Sequence, residues 1–276
     1  VPILIAIFSV LFGLAFGSFL NVCITRLPRH ESIVAPRSRC PRCGAPILSR
    51  DNLPLLSYLF LRGRCRNCRQ RIPLRYPLIE AATAALFLLC LLVFGPTPHA
   101  AAAALLCWLL LGLAATDAET LLLPDALTLP GIALGVVASG LQPVAGRLLP
   151  SFSFPAAGES VLYSACAAAF ILTIRWVYWL LRHREGIGLG DAKLLAMIAA
   201  WLGIWSTALA LFLAVFGAAA YGLAIVALRK PPVAGKPADP GKIPPTRIPL
   251  GAFLSAAGIF VIFRGDLVLR WYLSFW

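Results

Sequence analysis

Ile3-Leu-Ile-Ala-Ile-Phe-Ser-Val-Leu-Phe-Gly-Leu-Ala-Phe-Gly-Ser-Phe-Leu-Asn-Val-Cys23 runs for 21 residues without a charge. About 20 such residues cross the hydrocarbon of a bilayer as a helix. The same character recurs at Tyr76–Phe94, Ala100–Thr116, Asp125–Leu141, Ser160–Leu181, Leu189–Ile204, Ser206–Leu228 and Ile248–Phe263. The sixth is short and has Asp191 and Lys193 near its start, so a tilted or interfacial placement is open to it. Across all 276 residues, 60% are hydrophobic and 13% charged, against roughly 45–50% and about 25% in soluble domains. That balance excludes a disordered chain. Eight cysteines in this length are too few for a small disulfide scaffold. The sequence predicts an all-α polytopic membrane protein of about eight transmembrane helices.

The net charge of +13 raises the question of nucleic acid, and the placement of the charge answers it. Between Arg26 and Arg75 stand twelve arginines against Glu31 and Asp51, a local balance of +10. The Pro/Gly-rich stretch Lys230–Pro249 and the residues Arg182, Arg184 and Lys193 fall on the same side if eight spans alternate. Arg147, Arg264 and Arg270 fall on the other. Basic loops face the cytoplasm, so this asymmetry predicts a multi-pass protein with both termini periplasmic. The charge is then a topology signal with secondary attraction to membrane lipid, and no nucleic-acid partner is expected. Residues 1–25 form the first helix, 26–75 a cytoplasmic module, and 76–276 a seven-helix membrane domain.

A module of about 50 residues struggles to bury a sufficient core. Cys40-Pro-Arg-Cys43-Gly44 and Cys65-Arg-Asn-Cys68 offer a staple. Two Cys-x-x-Cys knuckles close a tetrahedral four-sulfur site of the kind structural zinc prefers. Disulfides or a rubredoxin-type iron centre are the alternatives; a reducing cytoplasm disfavours the former. Cys23, Cys90, Cys107 and Cys166, in or at apolar spans, read as small hydrophobes. His30, His99 and His183 form no ligand set, and Gly186-x-Gly188-x-Gly190 lacks the context of a dinucleotide loop.

Ionisable groups inside spans are costly and point to function. Asp117, Glu119 and Asp125 flank the junction of the third and fourth spans, and Gly188-Leu-Gly190-Asp191-Ala-Lys193 opens the sixth. The alternation of spans puts all of them at the cytoplasmic face. Two converging aspartates hydrolyse a peptide bond when one, ionised, activates water and the other, protonated, donates to the scissile carbonyl. Asp191, near a helix N-terminus, is expected to be the ionised one. The same carboxylates also suit an ion-coupled membrane transporter. Asp125 after Pro124 also suits a plain N-cap, and Asp191 with Lys193 an interfacial ion pair.

In order along the chain, Gly17-Ser-Phe-Leu-Asn21, Arg26-Leu-Pro28, the two cysteine knuckles, Arg75-Tyr-Pro77-Leu-Ile-Glu80, Asp117 with Leu-Leu-Pro124-Asp125, and Gly188-Leu-Gly190-Asp191-Ala-Lys193 resemble the bacterial prepilin peptidases, the type IV leader peptidases among the Gly-x-Gly-Asp aspartic proteases of membranes. The resemblance implies an inner-membrane enzyme that cuts the leader from type IV prepilins or type II secretion pseudopilins at the cytoplasmic face. It implies that the new N-terminal amine is then methylated with S-adenosylmethionine. It maps the catalytic pair onto Asp117 and Asp191, with Asp125, Gly188, Gly190 and Lys193 in support. It maps the metal ligands onto Cys40, Cys43, Cys65 and Cys68, and makes Gly63 and Glu80 candidates for methyl transfer. The family's Pro-Phe-Gly-Pro is replaced here by Pro249-Leu-Gly251-Ala252, and the stretch before the first knuckle is shorter than in some relatives; neither departure is expected to touch the aspartates.

Overall fold

The structure, a computed structural model, describes every residue except 41, 49–50, 141–154, 185–187, 229–247 and 276. The described residues form helices and no strand; the helices are α1 (Ile3–Arg26), α2 (Leu56–Phe60), α3 (Arg75–Phe94), α4 (Pro98–Thr120), α5 (Asp125–Gly140), α6 (Ala157–Arg182), α7 (Leu189–Leu228) and α8 (Leu250–Leu273). Pro41, Arg147, Gly186 and most of the stretch Lys230–Pro249 lie outside the described residues.

Six of these helices (α1, α3, α4, α6, α7 and α8) are long and apolar enough to cross a membrane. The eight spans read from the sequence map onto these six helices together with α5. Asp125–Leu141 corresponds to the apolar α5, 16 residues long, with Leu141 outside the described residues. Leu189–Ile204 and Ser206–Leu228 correspond to the two helical stretches of α7, which meet where the backbone leaves helical geometry at Gly203 (φ 76°, ψ 176°). A break of this kind interrupts the ladder of i+4 hydrogen bonds, and lipid cannot satisfy a carbonyl left without its donor. Here the Ala200 carbonyl accepts the Ser160 hydroxyl at 2.7 Å and the Ser139 hydroxyl at 3.4 Å. The Thr207 hydroxyl closes on Gly203 O at 2.7 Å. Buried serines from α5 and α6 therefore do the work that a continuous helix would have done.

The chain divides into two compact units. One comprises Val1–Thr116 with Leu122–Leu134, the other Asp117–Leu121 with Gly135–Trp276. In the first, α1 packs along α3. The approach is close because Gly13 and Gly17 stand four apart on one face. A Cβ on Gly13 would sit 2.7 Å from Ala84 Cα, and one on Gly17 would sit 2.7 Å from Glu80 Cα. Small residues at this spacing let membrane helices meet backbone to backbone, where dispersion and polar contacts replace the absent hydrophobic drive. Phe16, Phe87 and Trp108 fill the space beside this contact, and the Trp108 indole N–H donates to Phe16 O at 3.0 Å. In the second unit α7 packs against both α6 and α8. Trp201, fully buried, lies against Gly135, where a Cβ would come within 2.6 Å of its ring.

Gly17→Leu is expected to force α1 away from α3 and cost roughly 1–3 kcal/mol, the scale of overpacking a tight contact. Gly158→Ala, with nothing within 4 Å of the new methyl, serves as its neutral control. Thermal unfolding of the two variants in the same detergent should separate them clearly.

Candidate active site and metal centre

In the second unit, the last turn of α4 and the first turns of α7 and α8 converge. Asp117, on α4, is 5% exposed. Its Oδ2 accepts the Ala252 N–H at 2.8 Å, and the Gly251 N–H bonds to the same carboxyl. These amides belong to the first turn of α8, where backbone donors have no intrahelical acceptor and the helix dipole favours negative charge. Asp191, in the first turn of α7 and half-buried, accepts the Gly188 N–H and feels the charge of Asp117. Two carboxyls 74 positions apart in sequence are thus brought within electrostatic range of each other, each facing helix-terminal amides.

The motif residues around Asp191 have distinct places. Gly188 is exposed, and a Cβ there would meet the Asp191 carboxylate at 3.3 Å, so glycine keeps the approach to the acid clear. Gly190 and Lys193 lie half-buried in the first turn of α7. Asp125 opens α5 and belongs to the first unit, whereas Asp117 and Asp191 both belong to the second. Glu119 is exposed.

The sequence reading set Pro249–Ala252 apart from the aspartates, and the structure corrects this. The segment caps Asp117 directly. The contact spans 135 residues, and backbone N–H groups leave no side-chain signature. One signal was present: a Pro-x-Gly at the head of an apolar run marks a helix start, and helix starts attract carboxylates.

In the first unit, the four loop cysteines gather. Their sulfurs all lie within 4.8 Å of one another, and Cys40 Sγ is 3.8 Å from Cys68 Sγ. Four thiolates at the usual zinc–sulfur distance of about 2.3 Å leave tetrahedron edges of about 3.8 Å, so the donor set fits a closed four-sulfur metal site. Each knuckle is a backbone turn of the same design. Gly44 N–H bonds Cys40 O and Cys40 N–H bonds Ala45 O; Arg69 N–H bonds Cys65 O and Cys65 N–H bonds Gln70 O. The residue after each second cysteine is left-handed, Gly44 at φ 68° and Arg69 at φ 58°.

The N–H groups of Cys43 and Arg42 hold the Cys40 thiol below its ordinary value, and that of Ala45 does the same for Cys43. The Gln70 N–H also lowers Cys68, but desolvation and hydrogen bonds with Cys43, Cys65 and Cys40 together push it up to about 11. Crowded sulfurs that resist full deprotonation are what a bound cation relieves.

Gly63 and Glu80 also belong to the first unit. Gly63 has φ 65°, and a side chain there would strike the Tyr58 ring, 2.7 Å from its hydroxyl. Glu80, 8% exposed on α3, accepts the Leu55 N–H at 2.8 Å and a hydrogen bond from Ser18.

Residues 11–94 match the family described as the Bacterial Peptidase A24 N-terminal domain, and residues 104–223 match the Type IV leader peptidase family. A protein of Aeromonas salmonicida named "Prepilin leader peptidase/N-methyltransferase" is 36% identical over 96% of this chain and 92% of its own length. A protein of the same name from Pseudomonas aeruginosa is 35% identical over 99% and 95%, and one from Klebsiella pneumoniae is 43% identical over 73% and 87%. No solved structure matches the chain.

Protein purified without chelator is expected to carry about one tetrahedrally bound metal ion per chain, by the four-sulfur stoichiometry. Cys40→Ser and Cys68→Ser should each lose it in elemental analysis. Cys166→Ser, outside the cluster, should keep it.

Proposed function

The chain belongs to the type IV leader peptidase family, and from that membership we infer that it is a prepilin leader peptidase and N-methyltransferase of the bacterial inner membrane. It removes the leader of type IV prepilins or type II secretion pseudopilins, then methylates the exposed N-terminal amine. The observation that carries the peptidase reading is the pairing of Asp117 and Asp191 at the meeting point of α4, α7 and α8. No feature of the fold or of the relatives favours the ion-coupled transporter.

The chemistry follows from a shared proton. Two carboxyls at short range disfavour double ionisation, so the hydrolytic cycle would use one ionised and one protonated member. The ionised member takes a proton from water, the water oxygen attacks the scissile carbonyl, and the protonated member donates to the carbonyl oxygen. Collapse of the tetrahedral species returns a proton to the leaving amine. Asp191 keeps the dipole advantage that its sequence position suggests, but Asp117 has a comparable one from α8, so helix dipoles alone do not separate the two roles. Gly188 and Gly190 leave room for the substrate backbone, and Lys193 and Asp125 are supporting groups.

A prepilin carries a basic leader ahead of an apolar segment of about 20 residues, long enough to lie in the bilayer as a helix. Cleavage between them falls at the lipid–water boundary. The +10 balance of residues 26–75 supports placing this boundary on the cytoplasmic side with both termini periplasmic. Residues 1–25, 26–75 and 76–276 then act as anchor, metal module and membrane domain. Zinc is the ion proposed for Cys40, Cys43, Cys65 and Cys68, in a structural role. S-adenosylmethionine supplies an electrophilic methyl group when bound. Glu80 offers a buried carboxylate suited to an amine or a cationic donor, and Gly63 a backbone position closed to side chains.

Incubation of the purified enzyme with a prepilin, with and without the methyl donor, is expected to show loss of the leader and then the mass of one added methyl. Asp117→Ala and Asp191→Ala should each lower cleavage by roughly 10²–10⁴-fold while the protein still inserts in the membrane. Processing at the normal rate by either variant would remove the dyad from the mechanism.

A further inference from the structure

At the edge of the cysteine cluster, with Leu61 and Cys65 in its wall, Phe60, Arg62, Arg64, Arg66 and Arg69 line an open cleft of about 480 Å³. No carboxylate lines it among the described residues. Asp51 holds Arg66 through two bonds of 2.8 and 2.6 Å, which leaves the other three guanidiniums to the cleft. Arg64 also stands directly opposite Arg71 in an antiparallel bridge, and like charges so placed repel unless an anion lies between them. A divalent ion on four thiolates carries a charge of −2, so the module with its balance of +10 remains strongly positive even when metallated. The cleft is built for an anion.

Its depth relative to the spans identifies which anion. The module is tied to α3 by the Leu55 N–H on Glu80. Glu80 lies five residues inside a membrane-spanning helix, about 7 Å along its axis from Arg75. Arg75 itself stands over the Tyr76 ring, an aromatic–cation pair typical of the interface. α2 therefore starts at headgroup depth. Its outward residues are apolar: Leu59 is 70% and Phe60 82% exposed. Exposed apolar side chains next to clustered arginines are the composition of a surface that lies in the boundary layer of an anionic bilayer.

We propose that the Arg62–Arg64–Arg69 cleft, with Leu59 and Phe60 beside it, is a binding site for the phosphate headgroup of an anionic phospholipid, with the two apolar side chains inserted among the acyl chains. The basic leader of a substrate is repelled from this surface, and a methyl donor with a net positive charge finds no carboxylate there. An anionic lipid is attracted by it, and it holds the metal module against the membrane.

The full chain with its metal, reconstituted in nanodiscs of phosphatidylcholine containing phosphatidylglycerol, tests this by native mass spectrometry of the released protein. The unaltered protein should retain phosphatidylglycerol in preference to phosphatidylcholine. Each arginine near the surface contributes about a fivefold preference, so Arg62→Gln should lower retention about fivefold, and Arg62→Gln with Arg64→Gln further, at unchanged metal content. If the double variant loses metal, Arg62→Gln, which is not adjacent to a cysteine, is read with Phe60→Ser, and both should weaken retention. Equal retention by the unaltered protein and the metal-bearing variants overturns the proposal. So does displacement of the bound lipid by inorganic phosphate alone, or a raised KM for the methyl donor with lipid retention unchanged. None of these readouts requires peptidase activity.

Discussion

Within hydrocarbon, a backbone amide or a carboxyl has only protein to bind, and the placement of polar groups in this chain follows from that scarcity. Asp117 is nearly inaccessible, and the first-turn amides of α8 are what accompany it. The break at Gly203 frees a carbonyl, and two buried serines reach it. Glu80 is buried on α3 and takes the Leu55 N–H. In each case a polar group that membrane helices ordinarily avoid has a partner drawn from a distant part of the sequence. These partnerships give long helices a specific arrangement, because apolar contacts with neighbours are scarcely better than contacts with lipid.

The same scarcity makes helix ends useful. Interior amides of a helix are consumed by its own ladder, but the first turn has donors to spare. The first turn of α8 gives two amides to Asp117, and the Gly188 amide just ahead of α7 gives one to Asp191. A hydrolytic pair needs one charge tolerated and one proton kept, in a place that water can enter and lipid cannot. The lipid–water boundary, where helices start and stop, supplies both conditions. The metal module works by a different principle. Its chain is too short to bury a core, and the four clustered sulfurs offer a site at which the cation proposed above would substitute for one. Arg69 takes the left-handed conformation that Gly44 takes in the first knuckle, although a glycine would occupy it with less strain.

How much was legible depends on whether a feature repeats locally. The apolar runs, the two Cys-x-x-Cys knuckles and the Gly-x-Gly-Asp turn are local patterns with a direct physical meaning, and each is recognisable without knowing its neighbours. Gly44 was readable as a turn residue; Arg69, in the equivalent place, was not, because arginine carries no preference for that conformation. Ile204, Trp205 and Ser206 read as a boundary between two helices, and the backbone leaves helical geometry beside them at Gly203. The 16 described residues of α5 fall just short of the usual length of a span, and the residues that follow Gly140 lie outside the described ones.

The sequence by itself determined that this is a helical membrane protein with a four-cysteine module, because composition and motif spacing are properties of the chain read in order. Only the tertiary structure decided which backbone amides hold Asp117, that Gly13 and Gly17 set the distance between α1 and α3, and that Glu80 fastens the metal module to α3. These are contacts between residues 25 to 135 positions apart in the chain, made by amides and by missing side chains. Neither leaves a pattern along the chain, since a backbone N–H is the same at almost every residue and acquires meaning only from what it faces.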